Sequence, residues 1–353
     1  MRILQVAPLI ERVPPVAYGG TERVVSYLTD TLVDLGHDVT LIASGDSITN
    51  ARLVAASPRA LRLDESCIDP LAHEIREVEL VARMAEQFDL VHFHTGFLHM
   101  PIAKRLRVSN VTTLHGRLDV ADLVPLMEEF RDLPLVSISD AQRQPLEGMN
   151  WQGTVYHGLP PDLLPFNPAG GDYLAFVGRI SPEKRADRAI ALAKQAGMPL
   201  RIAAKVDPAD AQYFEREIQP LLEHPGVSFL GELADDDKAA LLGGARALLF
   251  PIDWPEPFGM VVIEALSCGT PVIAWNHGSV PELIESGVTG WIIESEEAGV
   301  DAIAQLDRID RRACRAAFEQ RFAAERMARD YVQIYEHLLH ETRSDRSLEV
   351  TGA

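Results

Sequence analysis

The sequence predicts an α/β protein of two Rossmann-like domains, each an open parallel sheet flanked by helices. Three observations predict it. Short apolar runs alternate with segments of helical periodicity, the βαβ pattern that implies a parallel sheet. The series occurs twice, interrupted between Tyr156 and Asp172 by a stretch with four prolines, three glycines and no periodicity. At 353 residues the chain exceeds one average domain and suits two.

Arg2-Ile-Leu-Gln-Val-Ala reads as the first buried strand, and Pro8 opens its exit loop. A loop rich in proline and glycine follows, ending in Tyr18-Gly19-Gly20-Thr21-Glu22. Val24, Val25, Leu28, Leu32 and Leu35 then recur at helical spacing, and Gly36 stops the helix. Residues 39–43, 90–94, 111–115 and 135–139 read as further strands. The second series has strands at 173–177, 200–204, 227–230, 247–251 and 271–274, with a helix about 187–196. A last helical stretch, 323–341, carries Met327, Tyr331, Ile334, Tyr335 and Leu338 on one face, which is read as core; from Arg343 the chain is expected to fray. The domains are placed at 1–165 and 166–327, with a helix about 328–342 packing back onto the first. Ligands of such sheets bind beyond the carboxyl ends of the strands, so the loops there are where chemistry is sought.

Composition narrows the function classes. Before Gly170 there are 14 Lys+Arg against 22 Asp+Glu, and after it 19 against 30, so both halves are acidic within a net charge of −19. Such a surface repels nucleic-acid backbones and argues against a broad hold on anionic lipid, leaving open a local basic patch for peripheral association. Cys67, Cys268 and Cys314 form no CxxC pair, which fits a reducing compartment and no cysteine-rich metal site. No run approaches the ~18 apolar residues of a membrane span, and the apolar run at 3–10 is too short for a signal peptide. A cytoplasmic protein is expected.

Three stretches could carry chemistry. Glu256-Pro-Phe-Gly-Met-Val-Val-Ile-Glu264 places a loop before a helix beginning near Met260. A helix N-terminus offers free N–H groups and a positive dipole end to a diphosphate, and the two carboxylates can accept from sugar or ribose hydroxyls. Ordinary first-turn glutamates fit the pattern equally. Gly178-Arg179-Ile-Ser-Pro-Glu-Lys184 puts two cations on one loop after a strand, suited to two phosphates or to a solvated surface. Gly19-Gly20 permits close backbone approach to a ligand, or is a plain turn. It is not GxGxxG.

His92 and His94 alternate on one strand and share a face. His92 reads as a satisfied structural histidine, while His94 fits that role and a functional one equally. His115 closes the next strand, placed for a cleft role as base or hydrogen-bonding partner. The spacing is not HExxH. Asp235-Asp236-Asp237 reads as a helix cap rather than a metal clamp.

Taken together, Glu256-x7-Glu264, the Gly178-Arg179…Lys184 loop and Gly19-Gly20 resemble the retaining glycosyltransferases of family four, which have the GT-B fold. Phe250-Pro251, Gly269-Thr-Pro-Val-Ile and Pro281-Glu-Leu-Ile…Gly287-Val-Thr-Gly290 fit in the same order, so the likeness covers nearly the whole chain. It implies two domains facing across a cleft and a donor diphosphate neutralised by Arg179 and Lys184. Backbone groups of Phe258, Gly259 and Met260 would hold sugar and phosphate, Glu256 the sugar hydroxyls and Glu264 the ribose. Gly231-Glu232-Leu233 would line the base, Gly19 and Gly20 would close over the phosphates, and His115 would lie near the reacting sugar. The implied reaction retains anomeric configuration by front-face attack, with no cofactor and no metal. The donor is a nucleotide-diphosphate sugar, UDP ahead of GDP or ADP. The acceptor is a hydroxyl of a sugar, lipid-linked sugar, polysaccharide or natural product. Lys205 and Asn276-His277-Gly278-Ser279 depart from the family pattern and put donor identity in question. A GT-B epimerase or phosphorylase, or a non-catalytic sugar-nucleotide binder, are the alternatives.

Overall fold

In the computed structural model the chain divides into two compact units, Met1–Gly158 with Ala324–Ala353, and Leu159–Ala323. These bounds stand beside the 165 and 327 read from sequence. The structure describes residues 1–16 and 19–351, with the backbone alone for 343–351. Tyr18 and the side chains beyond Thr342, where fraying is expected, therefore lie outside the described residues.

The first unit is a seven-stranded sheet of β1 (Arg2–Val6), β2 (Asp38–Ser44), β3 (Arg52–Ser57), β4 (Leu90–Phe93), β5 (Ser109–Thr113), β6 (Leu135–Ser137) and β7 (Trp151–Thr154), ordered β3-β2-β1-β4-β5-β6-β7. Every strand pairing among the described residues is parallel; Ile3 stands opposite Val39 on one side and Leu90 on the other. The chain winds outward through β2 and β3, then crosses to β4. The switch point thus falls between β1 and β4, where such sheets bind ligands.

Alternation along the strands sorts the two faces. Leu4 and Val6 of β1 and Val91 and Phe93 of β4 enter one apolar cluster. Gln5, His92 and His94 point to the opposite face and are all buried. That polar face is covered by the helix Ala324–Thr351, whose Met327, Tyr331 and Tyr335 are fully buried. Helix Gly20–Asp34 buries Leu28 and Leu32, and Gly36 follows it at φ 87. Helix Pro70–Met84 buries Val81 and, unexpectedly, Glu77.

The second unit is a six-stranded parallel sheet of β8 (Tyr173–Ile180), β9 (Leu200–Val206), β10 (Val227–Gly231), β11 (Ala245–Phe250), β12 (Val272–Trp275) and β13 (Gly290–Ile293), ordered β10-β9-β8-β11-β12-β13. Its switch point lies between β8 and β11. Ile202, Leu249 and Ile273 centre its core, with Ile190 of the helix Ala186–Ala196 packed above. Arg311 is a half-buried bolt: its guanidinium donates to the carbonyls of Asn167, Ala245 and Gly243 and to Thr270 Oγ1 at 2.7–2.9 Å.

Two expectations are corrected. Gly178 and Arg179 belong to β8, and Lys205 to β9, because those strands pair in unbroken register from Leu174↔Leu200 to Ile180↔Val206. Neither cation starts a loop. Asp235–Asp237 are not the cap: Ala234 holds that position with no side-chain bond, and the three aspartates form the first turn of helix Asp235–Gly244. There they favour the positive helix end.

Candidate functional site

In the second unit, the loops leaving β8, β11 and β12 interlock at the switch point. After β8 the short turn Pro182–Lys184 is closed by Lys184 N donating to Ser181 O at 3.1 Å. Arg185 then takes the left-handed conformation at φ 52, rare for a residue with a side chain. Its guanidinium meets Asp187 at 2.8 Å and Asp253 at 2.9 Å, and Arg188 adds a 3.2 Å contact to Asp253. Asp253 N donates to Glu183 O at 2.8 Å, so the β8 and β11 loops are tied by backbone and side chain alike. From the β12 loop, Ser279 N donates to Glu256 O at 3.0 Å and Ser279 Oγ to Phe258 O at 2.6 Å.

These ties present the charged groups. The Lys184 ammonium is ion-paired with the Glu256 carboxylate and sits 4.9 Å from the Trp254 ring centre. Trp254 Nε1 donates to the same Glu256 oxygen at 3.0 Å. Glu256 is only 9% exposed. Arg179 Nη2 lies 2.6 Å from Glu183, and its Nε 3.5 Å from Asp210. Burial opposes ionisation of Glu183, but bonds from its own backbone, Ser181 and Arg179 outweigh it and hold the carboxyl below its usual range. Lys205 stands opposite Arg179 on β9 and pairs with Asp207 at 3.9 Å.

Gly259 starts helix Met260–Ser267 at φ 92, and a Cβ there would lie 3.2 Å from Phe250 Cζ. Within the first turn Val262 N donates to Gly259 O at 3.0 Å. Met260 and Val261 lead that turn, where an amide has no helical carbonyl four residues back to donate to. Phe258 is buried, so only its backbone can serve a ligand. Glu264, 5% exposed, accepts from Lys238 Nζ at 2.7 Å, and Lys238 also reaches Asp235 at 3.3 Å. Gly231 ends β10 at φ 71, Glu232 is exposed, and Leu233 packs on the cluster around Tyr173 and Leu241. Of the residues expected here, the fold joins Lys184 directly to Glu256; Glu264 has a separate cation, and Arg179 is held among acids. Arg185, Asp253, Trp254 and Lys238 join the site without having been expected from sequence. Asp253 and Trp254 sit just before Glu256, and Arg185 just after Lys184, so adjacency to those residues is the local signal for them.

In the first unit, Gly19 precedes helix Gly20–Asp34, and a Cβ on it would lie 2.8 Å from Pro15 Cβ; one on Gly20 would meet nothing within 4 Å. His92 is satisfied by Tyr335 at 2.7 Å and Thr113 at 2.8 Å. Thr113 in turn contacts Tyr331 at 3.0 Å. His94 bridges Gln5 Oε1 at 2.7 Å and His115 Nε2 at 2.9 Å. His115 lies two residues beyond β5 rather than ending it. The His115 and His157 rings stack at 5.2 Å. Burial pulls His115 down to about 3, and burial with neighbouring histidines keeps His92, His94 and His157 well below their usual range. All four rings are neutral at pH 7.

The family model described as Glycosyltransferase Family 4 matches residues 18–196, and that described as Glycosyl transferases group 1 matches 166–320. A curated relative, the D-inositol 3-phosphate glycosyltransferase of Mycobacterium tuberculosis (strain ATCC 25618 / H37Rv), is 34% identical over 150 residues, 40% of this chain. The match spans only 31% of that relative's length. Among solved structures, AviGT4, a glycosyltransferase involved in avilamycin A biosynthesis, superposes with a TM-score of 0.73 at 24% identity over 96% of this chain and 98% of that one. Sucrose-phosphate synthase from Thermosynechococcus elongatus gives 0.77 at 19%, over 96% and 99%. Anabaena HepE in complex with UDP and glucose gives 0.73 at 19%, over 96% and 100%. These likenesses establish the fold: two Rossmann-like units of the GT-B type.

Proposed function

This chain belongs to glycosyltransferase family 4, and on that premise we propose that it moves a hexose-type sugar from a nucleotide-diphosphate donor to a hydroxyl acceptor, with retention and without a metal or cofactor. The observation that carries the proposal is the Lys184–Glu256 pair beside the start of helix Met260–Ser267. One cation for phosphate, one carboxylate for hydroxyls and a set of helix N–H groups converge there. An ammonium has three donors, so Lys184 can keep Glu256 while giving a bond to phosphate. Arg179 adds a second charge from β8. Phe258, Gly259 and Met260 supply backbone groups, Glu264 takes the ribose, and Gly231, Glu232 and Leu233 border the base. Gly19, Gly20 and His115 of the first unit are assigned to the donor by the resemblance alone.

In the proposed step, the bond from the anomeric carbon to the diphosphate oxygen breaks as the acceptor oxygen bonds to the same face of that carbon. The acceptor's proton passes to the departing phosphate oxygen. The leaving group gains negative charge, so electrostatic stabilisation by Arg179 and Lys184 is the main catalytic contribution. UDP, the nucleotide in the HepE complex, is the first donor nucleotide to try.

The test is a thermal-shift panel of UDP, GDP, ADP and dTDP with their common sugars. A ligand at 100 times its Kd adds about 2.7 kcal/mol. No stabilisation by any nucleotide overturns the proposal. Transfer is expected to persist in EDTA; loss restored by divalent cation would overturn the metal-free step.

A further inference from the structure

His94 Nε2 meets Gln5 Oε1 at 2.7 Å, and a carbonyl oxygen can only accept, so His94 carries its proton on Nε2. A neutral His94 then has a bare lone pair on Nδ1. His115 Nε2, 2.9 Å away, must donate to it. A neutral His115 is therefore left with a bare Nδ1. That atom is buried and has no hydrogen-bond partner among the described residues.

The orientation of the Gln5 amide decides the whole row. Gln5 Nε2 donates to Tyr335 OH at 3.2 Å, and that hydroxyl is 2.7 Å from His92 Nδ1, which leaves His92 Nε2 to donate to Thr113 Oγ1. The opposite Gln5 orientation would reverse each ring and leave an orphaned N–H on His115 Nδ1. Orphaned buried donors are rarer than under-used acceptors, so the chemistry at the far end agrees with the orientation at the near end. The anchors are Gln5 on β1 and Tyr335 on the helix Ala324–Thr351, well away from His115 in sequence.

We propose that Gln5 and His94 are positioning residues that fix His115 in the Nε2–H tautomer, so that Nδ1 accepts a hydrogen bond from a substrate hydroxyl. The ring nitrogen facing the ligand is set by the bond made by the other. The ligand chemistry is a neutral polyol rather than an anion, because a bare lone pair repels phosphate oxygens. This rests on the glycosyl-transfer reading for the identity of the hydroxyl, though not for the tautomer.

Protein labelled with 15N-histidine, free of ligand at pH 7.5, gives the tautomer directly by NMR, with His115 assigned by its loss in His115→Gln. The expected result is a protonated Nε2 and an unprotonated Nδ1 at His115; the reverse pattern overturns the proposal whatever the protein catalyses. The second measurement is hydrolysis of UDP-glucose by His94→Phe and His94→Gln. The first removes the acceptor for His115 Nε2, and the second restores one through its amide oxygen. His94→Phe is expected to lower kcat roughly tenfold, the worth of one hydrogen bond, with KM within about twofold, and His94→Gln to recover most of it. Equal losses in both variants overturn the positioning role. If the wild type shows the expected tautomer but neither binds nor cleaves any sugar nucleotide, the glycosyl-transfer reading fails and the tautomer assignment stands.

Discussion

A Cβ on Gly278 would lie 2.4 Å from both the amide nitrogen and the carbonyl oxygen of Glu256, closer than any real Cβ contact. Gly278 also sits at φ 55, in the left-handed region. The β12 loop therefore presses backbone on backbone against the loop that carries the candidate carboxylate. Gly278→Ala is expected to displace Glu256 or strain the loop, costing on the order of 1–3 kcal/mol. Denaturant unfolding and nucleotide thermal shift together check it. A variant with wild-type stability and wild-type nucleotide shift would show that the contact constrains nothing.

Lys184→Ala leaves the Glu256 carboxylate buried beside Trp254 with its cation gone. Donor stabilisation should disappear, and turnover should fall by about 10²–10³. Arg179→Ala is expected to weaken nucleotide binding with less harm to stability, since its side chain is 36% exposed. Titration of UDP against each variant separates the two; unchanged binding in both would remove the phosphate assignment.

Acid should destabilise the first unit through its neutral histidines. Burial depresses the folded pKa of His115, and of His99, a fully buried ring held between Thr95 Oγ1 at 2.9 Å and Thr112 Oγ1 at 2.8 Å, to about 3, against 6.5 unfolded. The unfolded chain then binds more protons between those values, so stability present above pH 6.5 is lost progressively as pH falls towards 3. Each such ring should cost about 2 kcal/mol at pH 5. Equilibrium unfolding at pH 7.5 and pH 5 measures this, and a flat profile would refute the neutral-ring assignment.

Glu77 has the opposite sign. It is 2% exposed on helix Pro70–Met84, its Oε1 has no partner among the described residues, and burial together with Glu74 raises its carboxyl well above the usual range. The folded state holds the proton longer than the unfolded chain, so this residue erodes stability as pH rises above 4.5. Glu77→Gln is expected to stabilise by about 1 kcal/mol at pH 8 and by less at pH 5. No difference between the two pH values would contradict it.

The central strands were legible from sequence and the edges largely were not. Residues 2–7, 39–43, 90–94, 173–177 and 200–204 are apolar runs because both faces of a central strand are covered. The strands without a clear sequence signal, β3, β7 and β13, are all sheet edges. Trp151-Gln-Gly-Thr of β7 is half-buried throughout, which leaves neither a continuous apolar run nor clean alternation. At the candidate site, Glu256 stands between two prolines, Lys184 follows Pro182 by two residues, and Glu264 lies eight residues after Glu256 in the same stretch. Not every partner carries such a mark: Lys238 meets Glu264 from a helix 26 residues away, a distance no local pattern encodes. The Gln5–His94–His115 row was invisible for the same reason, since it joins three strand ends that only the sheet order makes neighbours.

The helix Ala324–Thr351 has a further consequence. Tyr335 supplies the hydroxyl for Gln5 and His92, and Tyr331 that for Thr113, yet all of Leu159–Ala323 is translated between those strands and these tyrosines. On the ribosome the second unit, contiguous in sequence, can finish folding while the first still holds an uncovered polar sheet face. A nascent chain thus matures out of order, with the unit begun first completed last, and truncation before Tyr331 should yield a folded second unit beside an open first one.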